Sequence, residues 1–227
     1  MRGKLIVIDS GGDASGKKTQ TELLFARLSA EGRPVRQVTF PNYDSPASAL
    51  VKMYLGGAFG TRPEDVSPYV SSTFFAVDRY AAYRTQWGDF YEGGGIILCD
   101  RYTTSNMVHM TAKIEGAEAQ SAFLDWLWNF EFGLFALPVP DMVFFLDVPP
   151  EQAHALMAHR RNKITGGDEK DIHERDDAYL ARCYEAARMV ASKYGWVRIP
   201  CTRDGAMRSV EEIHAMIYDK VLPVLNP

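Results

Sequence analysis

Ten residues near the start of this 227-residue chain restrict its fold more than any other segment: Gly11-Gly12-Asp13-Ala14-Ser15-Gly16-Lys17-Lys18-Thr19-Gln20, directly after the apolar run Leu5–Ile8. They nearly match the pattern of Gly, four residues, Gly, Lys and then Ser or Thr, in which the backbone curls round a phosphate. Glycines let successive N–H groups point inward, and the helix that follows adds its positive end. An accidental glycine turn is the bland alternative, and the strand before it and helical pattern after it argue against that. Gly11, Gly12, Asp13, Ala14, Ser15, Gly16, Lys17, Lys18 and Thr19 are therefore the candidate ATP-binding residues, with Lys17 reaching the β and γ phosphates.

A hydroxyl directly after that lysine normally ligates Mg²⁺. Here the position is Lys18, whose ammonium has no lone pair to give a metal, and Thr19 comes one residue late. The expectation is that Lys18 adds positive charge near the phosphates, while Mg²⁺, the expected cofactor, is held through water by Asp100 or Asp9.

The rest of the chain alternates short apolar runs with helical patterns. Val35–Phe40, Gly95–Cys99, Met142–Val148 and Trp196–Pro200 read as further strands. Between them lie helical stripes: Leu24 and Leu28 before a stop at Gly32, a long helix near Pro68–Trp87, and Leu180–Val190 ended by Gly195. A last helix begins near Ser209, with Glu212 placed for a capping box. Strands separated by helices imply βαβ units and a parallel sheet, whose ligands bind at the carboxyl ends of the strands. The expected fold is α/β, a three-layer P-loop NTPase-type arrangement of five parallel strands flanked by helices, in one domain over residues 1–227.

Composition limits the function classes. A net charge of −4 argues against a general nucleic-acid coat, which carries a basic excess. The most apolar stretch, Phe132–Val148, is broken by Pro138, Pro140, Asp141 and Asp147, so no membrane partner is expected. Cys99, Cys183 and Cys201 form no CxxC pair, which fits a reducing compartment. The expectation is a soluble cytoplasmic protein.

Two further segments carry chemistry. His159–Asp177 is densely charged and contains Gly166-Gly167. It reads either as a solvated loop or as a lid over an anionic substrate, since Arg160, Arg161 and Lys163 cluster at its start. The third strand runs into Asp100-Arg101-Tyr102. A surface salt bridge is the plain reading of such a triplet. After a buried strand in a phosphate-binding chain, the acid suits a metal-bound water and the arginine suits a phosphate. His109 and His214 have no partner at metal-ligand spacing and read as structural. Trp126 and Trp128 read as core or dimer-face residues, and Cys99 as inert.

The order and spacing of GGDASGKKTQ, Phe40-Pro41, FFAVDRY (74–80), DRYTTSN (100–106), LPVPDMVFFLDVPPE (137–151) and DIHE (171–174) resemble the thymidylate kinase family. The resemblance implies transfer of the ATP γ-phosphoryl group to dTMP, and a homodimer. It places Asp13 on the sugar 3′-hydroxyl, Phe40 beside dTMP, Phe75 stacked on thymine, Arg79 on the base, Arg101 on the dTMP phosphate, and Ser105 and Asn106 at the base edge. Lys17, Asp100, Arg101 and the lid arginine Arg160 would form the catalytic set, with Asp100 holding the metal through water. On residues alone, a plain core aromatic is the favoured reading of Phe75. The sequence departs from the family pattern at Ser10, where a glutamate is common; at Ala14, where some members carry an arginine; at Tyr43, where some carry a phosphate-binding arginine; and at Ile172, where Asp-Arg is usual. Two alternatives remain at this stage: a kinase of the same fold for another deoxynucleotide or a deoxynucleoside, and a non-catalytic nucleotide-binding regulator.

Overall fold

The computed structural model describes residues 2–12, 14–157, 172–173 and 176–226. Five strands, β1 (Lys4–Ser10), β2 (Val35–Thr39), β3 (Ile96–Asp100), β4 (Met142–Asp147) and β5 (Val197–Pro200), form one parallel sheet in the order β2-β3-β1-β4-β5. The five apolar runs are these strands, with ends shifted by a residue or two. A small hairpin of β6 (Thr202–Arg203) and β7 (Ala206–Met207) follows β5.

Alternation along β1 shows why the sheet is covered on both faces. Successive side chains of a strand point to opposite sides. Ile6 and Ile8 join Leu24 and Leu28 of helix α1 (Lys17–Ala30) and Ile213, Ile217 and Val221 of helix α9 (Val210–Leu225). Leu5 and Val7 point the other way, into Trp87, Tyr91, Ile97, Cys99 and Tyr102. All of these are buried, and each large apolar side chain contributes roughly 1.5–3 kcal/mol by leaving water.

Between β2 and β3 lie helices α2 (Ala49–Leu55), α3 (Pro68–Ala82) and α4 (Gly88–Glu92). Between β3 and β4 lie α5 (Thr103–Thr111) and α6 (Ala117–Trp128), and between β4 and β5 lie α7 (Pro150–Met157) and α8 (Asp177–Lys193). The long helix expected over 68–87 is regular only to Ala82. It widens into a π-helical turn at Tyr83–Trp87, where the Gly88 N–H bonds the Tyr83 carbonyl. A Cβ on Gly88 would lie 2.5 Å from that oxygen, so the close approach depends on glycine. The α9 start is as the sequence predicts: Ser209 Oγ accepts from the Glu212 N–H at 3.1 Å, and Glu212 Oε2 accepts from the Ser209 N–H at 3.0 Å.

With β1 at the centre, its carboxyl end has β3 on one side and β4 on the other. The register sets Ile8 beside Asp100 and Ser10 beside Leu146. The glycine-rich turn and Asp100-Arg101 thus leave the sheet side by side, about one strand spacing of ~4.8 Å apart.

Candidate active site

The turn from β1 into α1 needs left-handed backbone twice, at Ala14 (φ 56°) and at the helix N-cap Gly16 (φ 83°). Among the described residues no side chain caps α1, and no acidic residue lies in its first turn, so no described carboxylate there competes for its N–H groups. Lys17 is buried. Its Nζ donates to the Gly12 carbonyl (2.6 Å), to Ser10 Oγ (2.6 Å) and to Ser15 Oγ (3.2 Å), so the ammonium sits within the curl of the loop. Ser10, at the place where the family commonly has glutamate, helps hold it there. Lys18 and Thr19 lie on the outer side of α1. The Lys18 side chain is 71% exposed and lies 3.7 Å from Glu22, and Thr19 is exposed.

Helix α8 walls the loop from the other side. A Cβ on Gly11 would lie 2.9 Å from the Tyr184 Cα, so this position accepts only glycine without a shift of backbone. The Tyr184 hydroxyl donates to Asp147 at 2.8 Å. Burial and that carboxylate push its pKa up to about 12. Asp147, at the end of β4, also accepts from Arg198 Nε at 2.5 Å.

At the end of β3, the Asp100 carboxylate is buried, and its Oδ1 has no hydrogen-bond partner among the described residues. The Asp100 carbonyl accepts from the Phe40 N–H at 3.0 Å, which fixes the Phe40-Pro41 segment alongside. A water held by a cation fits such an orphaned carboxylate oxygen. Asp9 does not offer the same capacity: Oδ1 accepts from the Ser10 N–H (2.8 Å), and Oδ2 accepts from Thr104 Oγ1 (2.5 Å) and Ser105 Oγ (2.8 Å). Among the described residues, Asp100 therefore keeps a carboxylate oxygen with no partner, and Asp9 does not.

Arg101 has φ 67°, a left-handed backbone that a long side chain rarely adopts and that costs of order 1–3 kcal/mol. Its N–H donates to the Ile8 carbonyl at 3.2 Å, and the Cys99 thiol donates to its carbonyl at 2.7 Å. Burial and the neighbouring Asp100 push the Cys99 thiol well above its usual pKa, so it stays a neutral donor. The guanidinium lies over α5. Nη1 is 3.4 Å from Ser105 Oγ and 3.2 Å from His109 Nε2. Ser105 and His109 stand four residues apart on α5, so the same face of that helix meets the Arg101 side chain twice.

Of the remaining acceptor-side candidates, Phe75 and Asn106 lie where α3 meets α5, and Phe40 and Arg79 lie beside Tyr102. Phe75 is 9% exposed and meets Tyr54 edge-on at 6.1 Å, within a cluster that includes Met107 and Met110. Asn106 donates from Nδ2 to the Ser72 carbonyl at 3.3 Å, joining α5 to α3. Phe40 is buried against Tyr102, ring centroids 6.0 Å apart. Arg79 is fully buried, and its guanidinium is forked onto Glu131, with Nη1 3.5 Å from the Tyr102 carbonyl. Glu131 was missed by the sequence reading; nothing local marks a carboxylate 52 positions away as the partner of Arg79. Next to Arg79, burial raises the pKa of Asp78, while the Asn42 N–H, bonded to its Oδ2 at 2.8 Å, opposes the rise. Asp13, Arg160, Arg161, Lys163 and Asp171 lie outside the described residues, as does most of the expected lid.

Among the described residues no helix is long and apolar enough to cross a membrane, and no group of three or more His, Cys, Asp or Glu side chains is placed to hold a metal ion by itself.

The family model for thymidylate kinase matches residues 10–217. A thymidylate kinase of Plasmodium falciparum is 26% identical over 223 residues, covering 98% of this chain and 91% of that one. The fold is similar to that of thymidylate kinase from Candida albicans, with a TM-score of 0.70, 20% identity, and 99% of this chain and 93% of the other covered. It is also similar to that of thymidylate kinase from Ehrlichia chaffeensis, with a TM-score of 0.67, 17% identity, and 97% and 100% covered.

Proposed function

This chain belongs to the thymidylate kinase family, and from that premise we propose how its residues phosphorylate dTMP to dTDP with ATP. The enzyme is a phosphotransferase, and the relatives above are all thymidylate kinases, so neither another acceptor nor a silent nucleotide-binding role is favoured.

The observation that carries the residue assignment is the parallel pairing of β1 with β3, which sets Ile8 beside Asp100. β1 runs into the glycine-rich turn that holds Lys17, and β3 runs into Arg101, held in a strained backbone. Lys17 and the N–H groups of Gly11–Lys18 hold the β and γ phosphates of ATP. Arg101 holds the phosphate of dTMP, bringing the acceptor oxygen into line with the γ-phosphorus. The acceptor is already an anion, so no strong base is required, and positioning with charge stabilisation supplies the catalysis. Asp100 would hold a Mg²⁺ ion through water, its Oδ1 having no other partner among the described residues, and the ion would supply charge neutralisation for the transferring group. Phe75, Phe40, Ser105 and Asn106 frame the nucleoside. Arg79, fixed by Glu131, presents a rigid edge beside them. Asp13 takes the sugar hydroxyl, and Arg160 brings positive charge to the transferring phosphoryl group.

The reading extends to assembly and compartment. Val70, Val77 and Tyr80 make an exposed stripe along α3, and Leu134 lies close by, 74% exposed. This apolar face is where a second copy of the chain packs to make the homodimer. Three buried cysteines without disulfides suit the cytoplasm, where the substrates are made.

Label transfer tests this reading. Incubation with dTMP, Mg²⁺ and ATP labelled at the γ-phosphorus should move the label into dTDP. Label released only as inorganic phosphate would contradict it.

A further inference from the structure

We propose that His109 is a positioning residue for the reaction: its neutral imidazole accepts a hydrogen bond from Arg101 and aims that guanidinium at the acceptor phosphate. The inference rests on the reading above that Arg101 grips the phosphate of dTMP.

The chemistry of the two partners fixes the direction of the bond. A guanidinium has donors and no acceptor, so His109 Nε2, 3.2 Å from Arg101 Nη1, must present its lone pair. The proton then sits on Nδ1, which faces Cys183 Sγ at 3.3 Å, and the sulfur accepts it. His109 is 8% exposed, and its ring is held on every described side. His173 stacks on it at 5.7 Å and 18°, and His173 is in turn tied through Nε2 to the Tyr54 hydroxyl at 2.9 Å. Tyr179 packs against it from α8, centroids 6.4 Å apart, and donates its hydroxyl to the His109 carbonyl at 2.8 Å. Among the described residues, the titratable and charged groups around the ring are Arg101, Cys183, Tyr179 and His173, with Lys113 one step further, bonded to Tyr54 at 3.2 Å.

This arrangement does for Arg101 what its backbone cannot. A left-handed residue after a strand fixes where the side chain starts, but not where its rotatable bonds carry the guanidinium. Two acceptors one turn apart on α5, Ser105 Oγ and His109 Nε2, face the same Nη1 and narrow that freedom. A guanidinium pre-aimed in this way loses less entropy when the phosphate arrives. The imidazole never touches substrate; it acts through Arg101.

Amide isosteres separate this role from simple packing. The Gln side chain places an acceptor near Nε2, the Asn side chain near Nδ1, and Phe keeps the ring and its stack with no acceptor at all. Steady-state kinetics with dTMP and ATP should show that His109→Phe and His109→Asn raise KM for dTMP and lower kcat, together about tenfold or more in kcat/KM, with KM for ATP little moved. His109→Gln should recover most of that loss. Inhibition by thymidine, which has no phosphate for Arg101 to hold, should be the same in all three. Wild-type kinetics for His109→Phe, or no advantage of Gln over Phe, would overturn the proposal. Arg101→Gln, run alongside, keeps the two readings apart. If it leaves KM for dTMP unchanged, the phosphate grip itself is wrong. If it raises KM while His109→Phe does not, only the His109 role fails. Should the variants not fold, ¹⁵N NMR of the unsubstituted protein decides: the proposal requires His109 protonated at Nδ1 with Nε2 as acceptor, and the opposite tautomer would end it.

Discussion

Glu131 meets Arg79 as a two-pronged acceptor: Oε1 lies 2.6 Å from Nη2 and Oε2 lies 2.7 Å from Nε, with both side chains withdrawn from water. Oε2 also accepts from Thr103 Oγ1 at 2.7 Å, at the first residue of α5. One carboxylate thereby joins α3, the start of α5 and the π-helical turn Asn129–Leu134. A buried pair of this kind adds little net stability over an apolar replacement, but it is costly to break from one side, because the remaining charge is stranded.

The first prediction follows directly. Glu131→Ala leaves the Arg79 guanidinium buried without its fork and should destabilise the fold by about 3–5 kcal/mol. Urea unfolding followed by circular dichroism measures it. A loss below about 1 kcal/mol would show that Arg79 readily finds other partners.

Lys17→Met removes the ammonium and keeps the length of the side chain. Its partners among the described residues, Ser10, Gly12 and Ser15, can bond one another or water, so stability should change little. Turnover should drop by at least about a hundredfold, because charge on the transferring phosphates is no longer balanced. A variant within about threefold of wild-type kcat would remove Lys17 from the catalytic set.

Asp100→Asn keeps the shape of the carboxyl group and removes its charge. The Mg²⁺ concentration for half-maximal rate should rise severalfold and kcat should fall, as a neutral amide orients a metal-bound water poorly. An unchanged Mg²⁺ titration would direct attention to residues outside the described set.

Lys113 provides a signature in stability. Its Nζ donates to the Val66 carbonyl (2.6 Å) and to Ser71 Oγ (3.2 Å) in a largely buried site, and burial lowers its pKa to about 8. The unfolded chain binds this proton more tightly than the folded one, so between about pH 8 and 10.5 the unfolded state carries more protons. Stability should therefore rise with pH across that window, by at most about 3 kcal/mol from this group. Lys113→Met should flatten the rise. The same slope in wild type and variant would assign it elsewhere.

The sequence showed most clearly what depends on neighbours along the chain. Leu5–Ile8 and Met142–Leu146 are continuous apolar runs because both faces of a central strand are covered, and Ser209 with Glu212 closes its capping box within one turn. The glycine-rich turn into α1 was legible for the same reason: its glycines, lysine and helix are contiguous. The expected acceptor side rests on family resemblance alone, because its contacts are made across the fold. Arg79 pairs with a glutamate that only the packing of α3 against the π turn brings near. Ser10, conspicuous in sequence only as a departure, turns out to hold Lys17. Lys18, expected to add charge near the phosphates, lies in the first turn of α1 with its side chain largely in solvent beside Glu22.

The central claim is phosphoryl transfer from ATP to dTMP, and a coupled ADP-release assay tests it most directly. The panel is dTMP, dUMP, dCMP, dGMP, dAMP and thymidine, each with ATP and Mg²⁺. The account predicts fast ADP release with dTMP, no release with thymidine, which offers Arg101 no phosphate, and none without an acceptor. Release that is faster with another acceptor than with dTMP, or that needs no acceptor at all, would contradict it.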